Sequence, residues 1–373
     1  MLYYKKIDLN IGYFSYSNYS SIIMANKDVN DNDENNNSGL PWIEKYRPSK
    51  LNEILSHDEI ITTLGTFIRS KCLPHLLFYG PPGTGKTSAI TAVARELYGK
   101  YFPFMVMELN ASDDRGIEIV RSKIKQFVIS QNVFFGKTTK DREHIFKLVI
   151  LDETDAMTSD AQAILRKIIE KYTNNTRFCL ICNYIQNISQ ALQSRCTRFR
   201  FSPIDNANVK EKILHIANQE NINVEESGIN TIIKRSSGDM RKAINLLQSV
   251  SMSYSIVNEK NVNICYGYPR QKHMNKIIIS LLSDNYINIY DTITNIKNTY
   301  GLSLDDIIME IHDILIKYIV NPNENLIEPL KKINIETMKC ILDKLRIIEF
   351  NQSVNTIENI QISGLIGVFK LYL

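Results

Sequence analysis

Residues Gly80 to Thr87 read GPPGTGKT and satisfy the spacing G-x-x-x-x-G-K-[ST]. Gly83 and Gly85 allow the backbone to curl so that its N–H groups turn inward around phosphate oxygens. Lys86 adds a cation for the terminal phosphates, and Thr87 a hydroxyl suited to Mg2+. An apolar run, HLLFY, precedes the loop, and a helical pattern, KTSAITAVARELY, follows it. That strand–loop–helix order is the context the motif needs. It sets the phosphates at a helix N-terminus, where the helix dipole favours anions. The expected nucleotide-binding set is Gly80, Pro81, Pro82, Gly83, Thr84, Gly85, Lys86, Thr87 and Ser88.

A second group of residues offers hydrolytic chemistry. KLVILDETD runs apolar until Asp152, where a buried strand would emerge, and an aspartate there can hold Mg2+ partly through water. Glu153 follows and is suited to orienting and deprotonating a water; as a residue alone it also reads as a solvated loop acid. RFCLICNY ends another apolar run in Asn183, which fits either a γ-phosphate or water contact or an ordinary turn. Arg241 falls in the first turn of a helical stretch, a place unfavourable to a cation unless something such as a phosphate holds it; a surface arginine is the plain alternative. Arg195, in LQSRCTRFRF, is open between a surface charge, a structural ion pair and a catalytic group.

These groups require a scaffold. Short apolar runs at 75–80, 104–110, 147–153, 177–183 and 197–201 alternate with helical stretches such as 86–98 and 159–172. Strand–helix alternation with near-continuous apolar strands predicts a parallel sheet covered on both faces. After Pro203 the pattern is helical; Met240, Ile244, Leu247 and Val250 mark one face of a helix. Boundaries near 203 and 269 give four segments: a tail at 1–39, a nucleotide-binding domain at 40–203, a helical domain at 204–269 and a further helical domain at 270–373. The Asn/Asp-rich stretch 25–39 has too little apolar surface to order itself, and Met24 is a possible alternative start.

Composition narrows the class. The 373 residues are 44% hydrophobic, enough for two or three packed cores. Net charge is +4; three lysines against five acids in the first 39 residues leave the body more basic than the whole, which permits nucleic-acid contact. No apolar run approaches a membrane span, and the N-terminus lacks both a signal h-region and the arginines of a transit peptide, so a soluble intracellular protein with no membrane partner is expected. The six scattered cysteines do not form a disulfide framework. In a strand, Cys179 and Cys182 would point to opposite faces, which argues against a zinc pair.

PWIEKYRP, GPPGTGKT, ELNASDDRG, LDETDAMT, LQSRCTRFRF and SSGDMRKA occur in this order and together resemble the AAA+ ATPases, specifically the small subunits of replication factor C, the sliding-clamp loader. The resemblance runs from about Leu40 to Tyr254, with a weaker match beyond. It implies an α/β P-loop AAA+ module, a helical lid and an all-helical collar. It implies ATP and Mg2+, partner subunits in a hetero-pentamer, the ring clamp (proliferating cell nuclear antigen), primer-template DNA and a nuclear location. By the same match, Tyr46, Arg47 and Pro48 border the adenine. Asp152 and Glu153 are the Walker B pair, Asn183 and Arg241 the two sensors, and Arg195 a finger acting in trans on the next subunit. Thr154 departs from the usual alanine between the acids. The alternatives are another AAA+ DNA-remodelling ATPase, or a scaffold that binds ATP without hydrolysing it.

Arg121 and Lys125 are one helical turn apart, with Arg115 near the helix start. Such a row suits DNA phosphates read without bases, or a solvated face; the resemblance favours phosphates. Val133, Phe134 and Phe135 read as core or as an exposed plug, and the resemblance turns them toward the clamp.

Overall fold

A computed structural model describes residues 39–111, 117–129, 146–321, 330, 333–354 and 357–372. Its centre is five parallel strands, β1 (Leu76–Tyr79), β2 (Val106–Asn110), β3 (Lys147–Asp152), β4 (Thr176–Cys182) and β5 (Thr197–Arg200), in the order β2-β3-β4-β1-β5. The inner strands are unbroken apolar runs because alternate residues enter two different cores. Leu76, Phe78, Ile150 and Cys179 meet Ile90 and Val93 of the helix Lys86–Tyr98 on one face. Leu77, Val149, Phe178 and Cys182 meet Leu165 and Ile168 of the helix Ser159–Tyr172 on the other. Cys179 and Cys182 therefore lie on opposite faces, and no cluster of metal-ligating side chains occurs among the described residues.

Thr197, Arg198 and Arg200 of β5 are exposed, and a charged edge discourages pairing with a second sheet. Phe104 and Met105, expected at the start of β2, end a short helix, Phe102–Met105, because Pro103 suits a first helical turn.

His75 joins three strands. Its carbonyl accepts from the Thr197 N–H at 2.7 Å, and its Nδ1 accepts from the Phe178 N–H at 3.2 Å. The second bond requires an unprotonated Nδ1. Burial, with help from the Arg177 charge, pushes the imidazole pKa down to about 4. The folded protein thus resists protonation that the unfolded chain accepts from about pH 6.5 downward. Stability is fully present above that pH and declines as pH falls toward 4, by at most about 1.4 kcal/mol per pH unit. Denaturant unfolding near pH 7 and near pH 5 should show this loss, and His75→Asn should shrink it.

Beyond β5 the helices Asn206–Gln219, Glu226–Ser236 and Met240–Ser253 share a core of Val209, Ile213, Ile232, Leu247 and Val250. Of the expected stripe, Ile244, Leu247 and Val250 are buried and Met240 is half-buried. Two short parallel strands, β6 (Asn223–Val224) and β7 (Ile256–Val257), were not expected; two residues carry no readable period. The helix Trp42–Lys45, from before the sheet, packs on this core, and the Trp42 N–H donates to Gln248 Oε1 at 3.1 Å. Among the described residues, five further helices between Gln271 and Tyr372 enclose a separate core that includes Ile277, Ile293, Ile311 and Phe369. No described helix is long and apolar enough to cross a membrane.

Residues 1–38, Arg115 and Val133, Phe134 and Phe135 lie outside the described residues. Arg121 and Lys125 fall on the helix Ile117–Ile129.

Candidate nucleotide site

At the C-terminal end of β1 the chain turns sharply. A Cβ on Gly80 would stand 2.0 Å from the Phe201 carbonyl oxygen, so only glycine fits there. Gly83 and Gly85 have φ of +70° and +90°, the left-handed region glycine tolerates. The loop folds around the Lys86 ammonium, whose donors reach Gly80 O at 2.7 Å, Pro81 O at 2.7 Å and Asn183 Oδ1 at 3.0 Å. Burial lowers the lysine's pKa, and the Asp152 carboxylate opposes that shift.

The tips of β3 and β4 stand beside the loop. Thr87 Oγ1 donates to Asp152 Oδ2 at 2.8 Å, and the Glu153 N–H donates to Asp152 Oδ1 at 2.9 Å. Glu153 has φ of +52°, a conformation that costs a non-glycine residue about 1 kcal/mol or more and is concentrated at functional sites. Thr154 is buried, and its hydroxyl donates to Leu151 O at 3.0 Å, which explains why threonine is accommodated here. Asp155 fastens the neighbouring strand tip: its Oδ2 accepts the N–H groups of Asn183 (3.1 Å) and Tyr184 (3.0 Å). Asp155, the second aspartate of LDETD, carries no signal in the sequence that marks this contact.

The lid closes one side. Asp239 caps its helix, accepting from the Arg241 N–H at 2.9 Å and the Lys242 N–H at 3.2 Å. The Met240 N–H donates to Gly83 O at 3.2 Å, and a Cβ on Gly83 would meet Asp239 Oδ1 at 1.7 Å. An aspartate directly before an apolar-periodic run is a helix-start signature, so Asp239 was legible as a cap but not as a contact to the loop. The Tyr46 hydroxyl and Lys45 ammonium both donate to Glu220 of the lid; burial, with Glu220, raises the Tyr46 pKa.

Between these parts lies a cavity of about 440 Å3. Tyr46, Arg47, Pro48, the loop from Pro82 to Ser88, Asp152, Glu153, Asn183 and Arg241 all line it, while Gly80 and Pro81 stand behind it as acceptors for Lys86. Ile43, Leu55, Ile204, Met240 and Ile244 give it an apolar wall that sequence patterning did not assign to a site.

Arg195 is elsewhere. Thr197, two residues on, pairs with Leu76 at the start of β1, so the arginine sits at the opposite end of the sheet from the loop. The strand rise makes that separation roughly 13 Å along the sheet. Its guanidinium donates to Ala191 O at 2.6 Å and to the Glu170 carboxylate.

Comparison with known proteins agrees with this architecture. The AAA ATPase family model matches residues 76–204, the RCF1/5-like AAA+ ATPase lid model residues 212–252, and the replication factor C C-terminal domain model residues 269–368. Human replication factor C subunit 5 is 45% identical over 333 residues, covering 89% of this chain and 92% of that protein. The chain belongs to the replication factor C family. Replication factor C subunit 3 of Schizosaccharomyces pombe is 43% identical over 89% of this chain and 91% of its own length. The probable replication factor C subunit 5 of Dictyostelium discoideum is 43% identical over 93% and 95%. The resemblance to the replication factor C small subunit numbered five in animals agrees with the human match. As a replication factor C subunit, the chain is an AAA+ ATPase of a multi-subunit complex, with a parallel-sheet nucleotide module, a lid and a helical C-terminal domain.

Proposed function

We propose that this subunit binds ATP with Mg2+ in its cavity and hydrolyses it as part of a clamp loader, which opens the ring clamp and places it on primer-template DNA. The observation that carries this reading is the convergence of Lys86, Thr87, Asp152, Glu153 and Asn183 on one cavity beside the lid's Arg241. The loop N–H groups and Lys86 take the phosphates; Lys86 exchanges its carbonyl partners for phosphate oxygens. Tyr46, Arg47 and Pro48 border the adenine. Thr87 and Asp152 are hard oxygen donors already 2.8 Å apart, a set that fits Mg2+. Bound there, the ion neutralises phosphate charge. Glu153 accepts a proton from water as the new P–O bond forms and the bond to ADP breaks. Asn183 and Arg241 sense the γ-phosphate, and Arg195 serves the next subunit's site.

On this reading Arg115, Arg121 and Lys125 follow the DNA backbone, Val133, Phe134 and Phe135 meet the clamp, and the protein works in the nucleus. We extend it to the chain's divisions near 203 and 269, supported by the separate cores of sheet domain, lid and collar, and to a tail at 1–39, supported by its composition. Purification of the tagged chain from cells should bring down other replication factor C subunits. The complex should bind primed DNA with steep salt dependence, weakened by combined Arg115→Ala and Arg121→Ala. A ring of this chain alone would favour a DNA-remodelling motor instead, and unchanged DNA affinity in the double variant would remove the DNA assignment.

A further inference from the structure

We infer that Glu170 is the positioning residue of the Arg195 finger; the inference rests on the trans role proposed above. Glu170 lies near the C-terminal end of the helix Ser159–Tyr172, on the sheet face away from the helix that follows the nucleotide loop. Its Oε1 accepts from the Arg195 guanidinium, and the Ala191 carbonyl accepts from the same guanidinium at 2.6 Å. Two acceptors from different elements hold the planar group, one on each terminal nitrogen. They leave its other donors available to a ligand outside the chain.

A single carboxylate this close would by itself cancel the arginine's charge. Arg166 alters that balance. Its Nε stands 3.4 Å from the same Glu170 oxygen, so two guanidiniums share one carboxylate and the cluster keeps a net positive charge. The side chains of all three residues are between a third and a half exposed, so the cluster is open to an approaching partner. The arrangement lowers the ordering cost of an arginine that must meet a phosphoryl group held by another subunit, because the side chain is already fixed before the sites meet.

The test uses the assembled complex with Glu170→Ala, Glu170→Gln and Arg195→Ala, each measured for ATP affinity at this subunit and for single-turnover hydrolysis at the neighbouring one. Glu170→Ala should slow the neighbour's hydrolysis on the order of tenfold, chiefly in kcat rather than KM, and leave ATP affinity at this subunit unchanged. Glu170→Gln, which keeps an oxygen acceptor of the same shape, should restore most of the rate. In an Arg195→Ala background, Glu170→Ala should add no further loss. If Arg195→Ala slows the neighbour and Glu170→Ala does not, or Glu170→Ala accelerates it, the positioning role is wrong and the trans role stands. If Arg195→Ala itself leaves the neighbour unaffected, both are wrong.

Discussion

In a complex carrying Glu153→Gln, ATP binding at this subunit persists while hydrolysis there falls by about 10²–10⁴-fold, the usual contribution of a general base. The geometry separates the two functions. The cradle for the phosphates is made by the loop and Lys86, and the Thr87–Asp152 pair is complete without the Glu153 carboxylate. Glu153 takes part in that pair only through its backbone N–H, which donates to Asp152 and survives the substitution. Its side chain is exposed at the cavity, and its backbone is held at φ +52° by the turn that follows β3. Glutamine keeps the size and conformation and loses only the ability to take a proton. Nucleotide titration paired with single-turnover hydrolysis checks both halves. An unaltered ATPase rate of the whole complex would support the reading as a non-hydrolysing scaffold.

Arg195→Ala should be comparably severe in a different place. An arginine delivered to a transferring phosphoryl group is worth about 10³–10⁵ in rate in related nucleotide hydrolases. This chain cannot use its own: Arg195 follows the register of β5, which begins opposite Leu76, and the loop begins after Tyr79 at the other end of the same strands. Arg47, Lys86, Lys212 and Arg241 already bring four cations to the cavity, and Arg195 does not line it. Turnover by the complex should fall while subunit assembly and the fold of this chain are kept, since the arginine is partly exposed and outside the apolar cores. Steady-state ATPase with clamp and primed DNA, alongside a sizing measurement, reads both.

The nucleotide loop was legible because its meaning is local. Glycines at positive φ, a lysine and a hydroxyl lie within eight residues of one strand–helix turn, and no distant part of the chain is needed to place them. The inner strands were legible for a related reason: burial on both faces writes an unbroken apolar run. Contacts across the chain were not. Asp155 reaches Asn183 over 28 residues, and Trp42 reaches Gln248 over 206; neither spacing leaves a mark in the intervening sequence. The strand order is likewise absent from the apolar pattern, which predicts a parallel sheet without saying that β1 lies between β4 and β5. The parallel register of β5 with β1 is what puts Arg195 opposite its own loop. Its role came from the family resemblance, and its distance from the loop came from the fold.

The most direct test of the central claim, that each site is finished by the neighbouring subunit, is a site-resolved measurement on the complex carrying Arg195→Ala. ATP affinity is measured at this subunit and single-turnover hydrolysis at the next. Unchanged affinity here with hydrolysis lost next door is the predicted result. Loss of ATP binding at this subunit, with the neighbour hydrolysing at its normal rate, would contradict it.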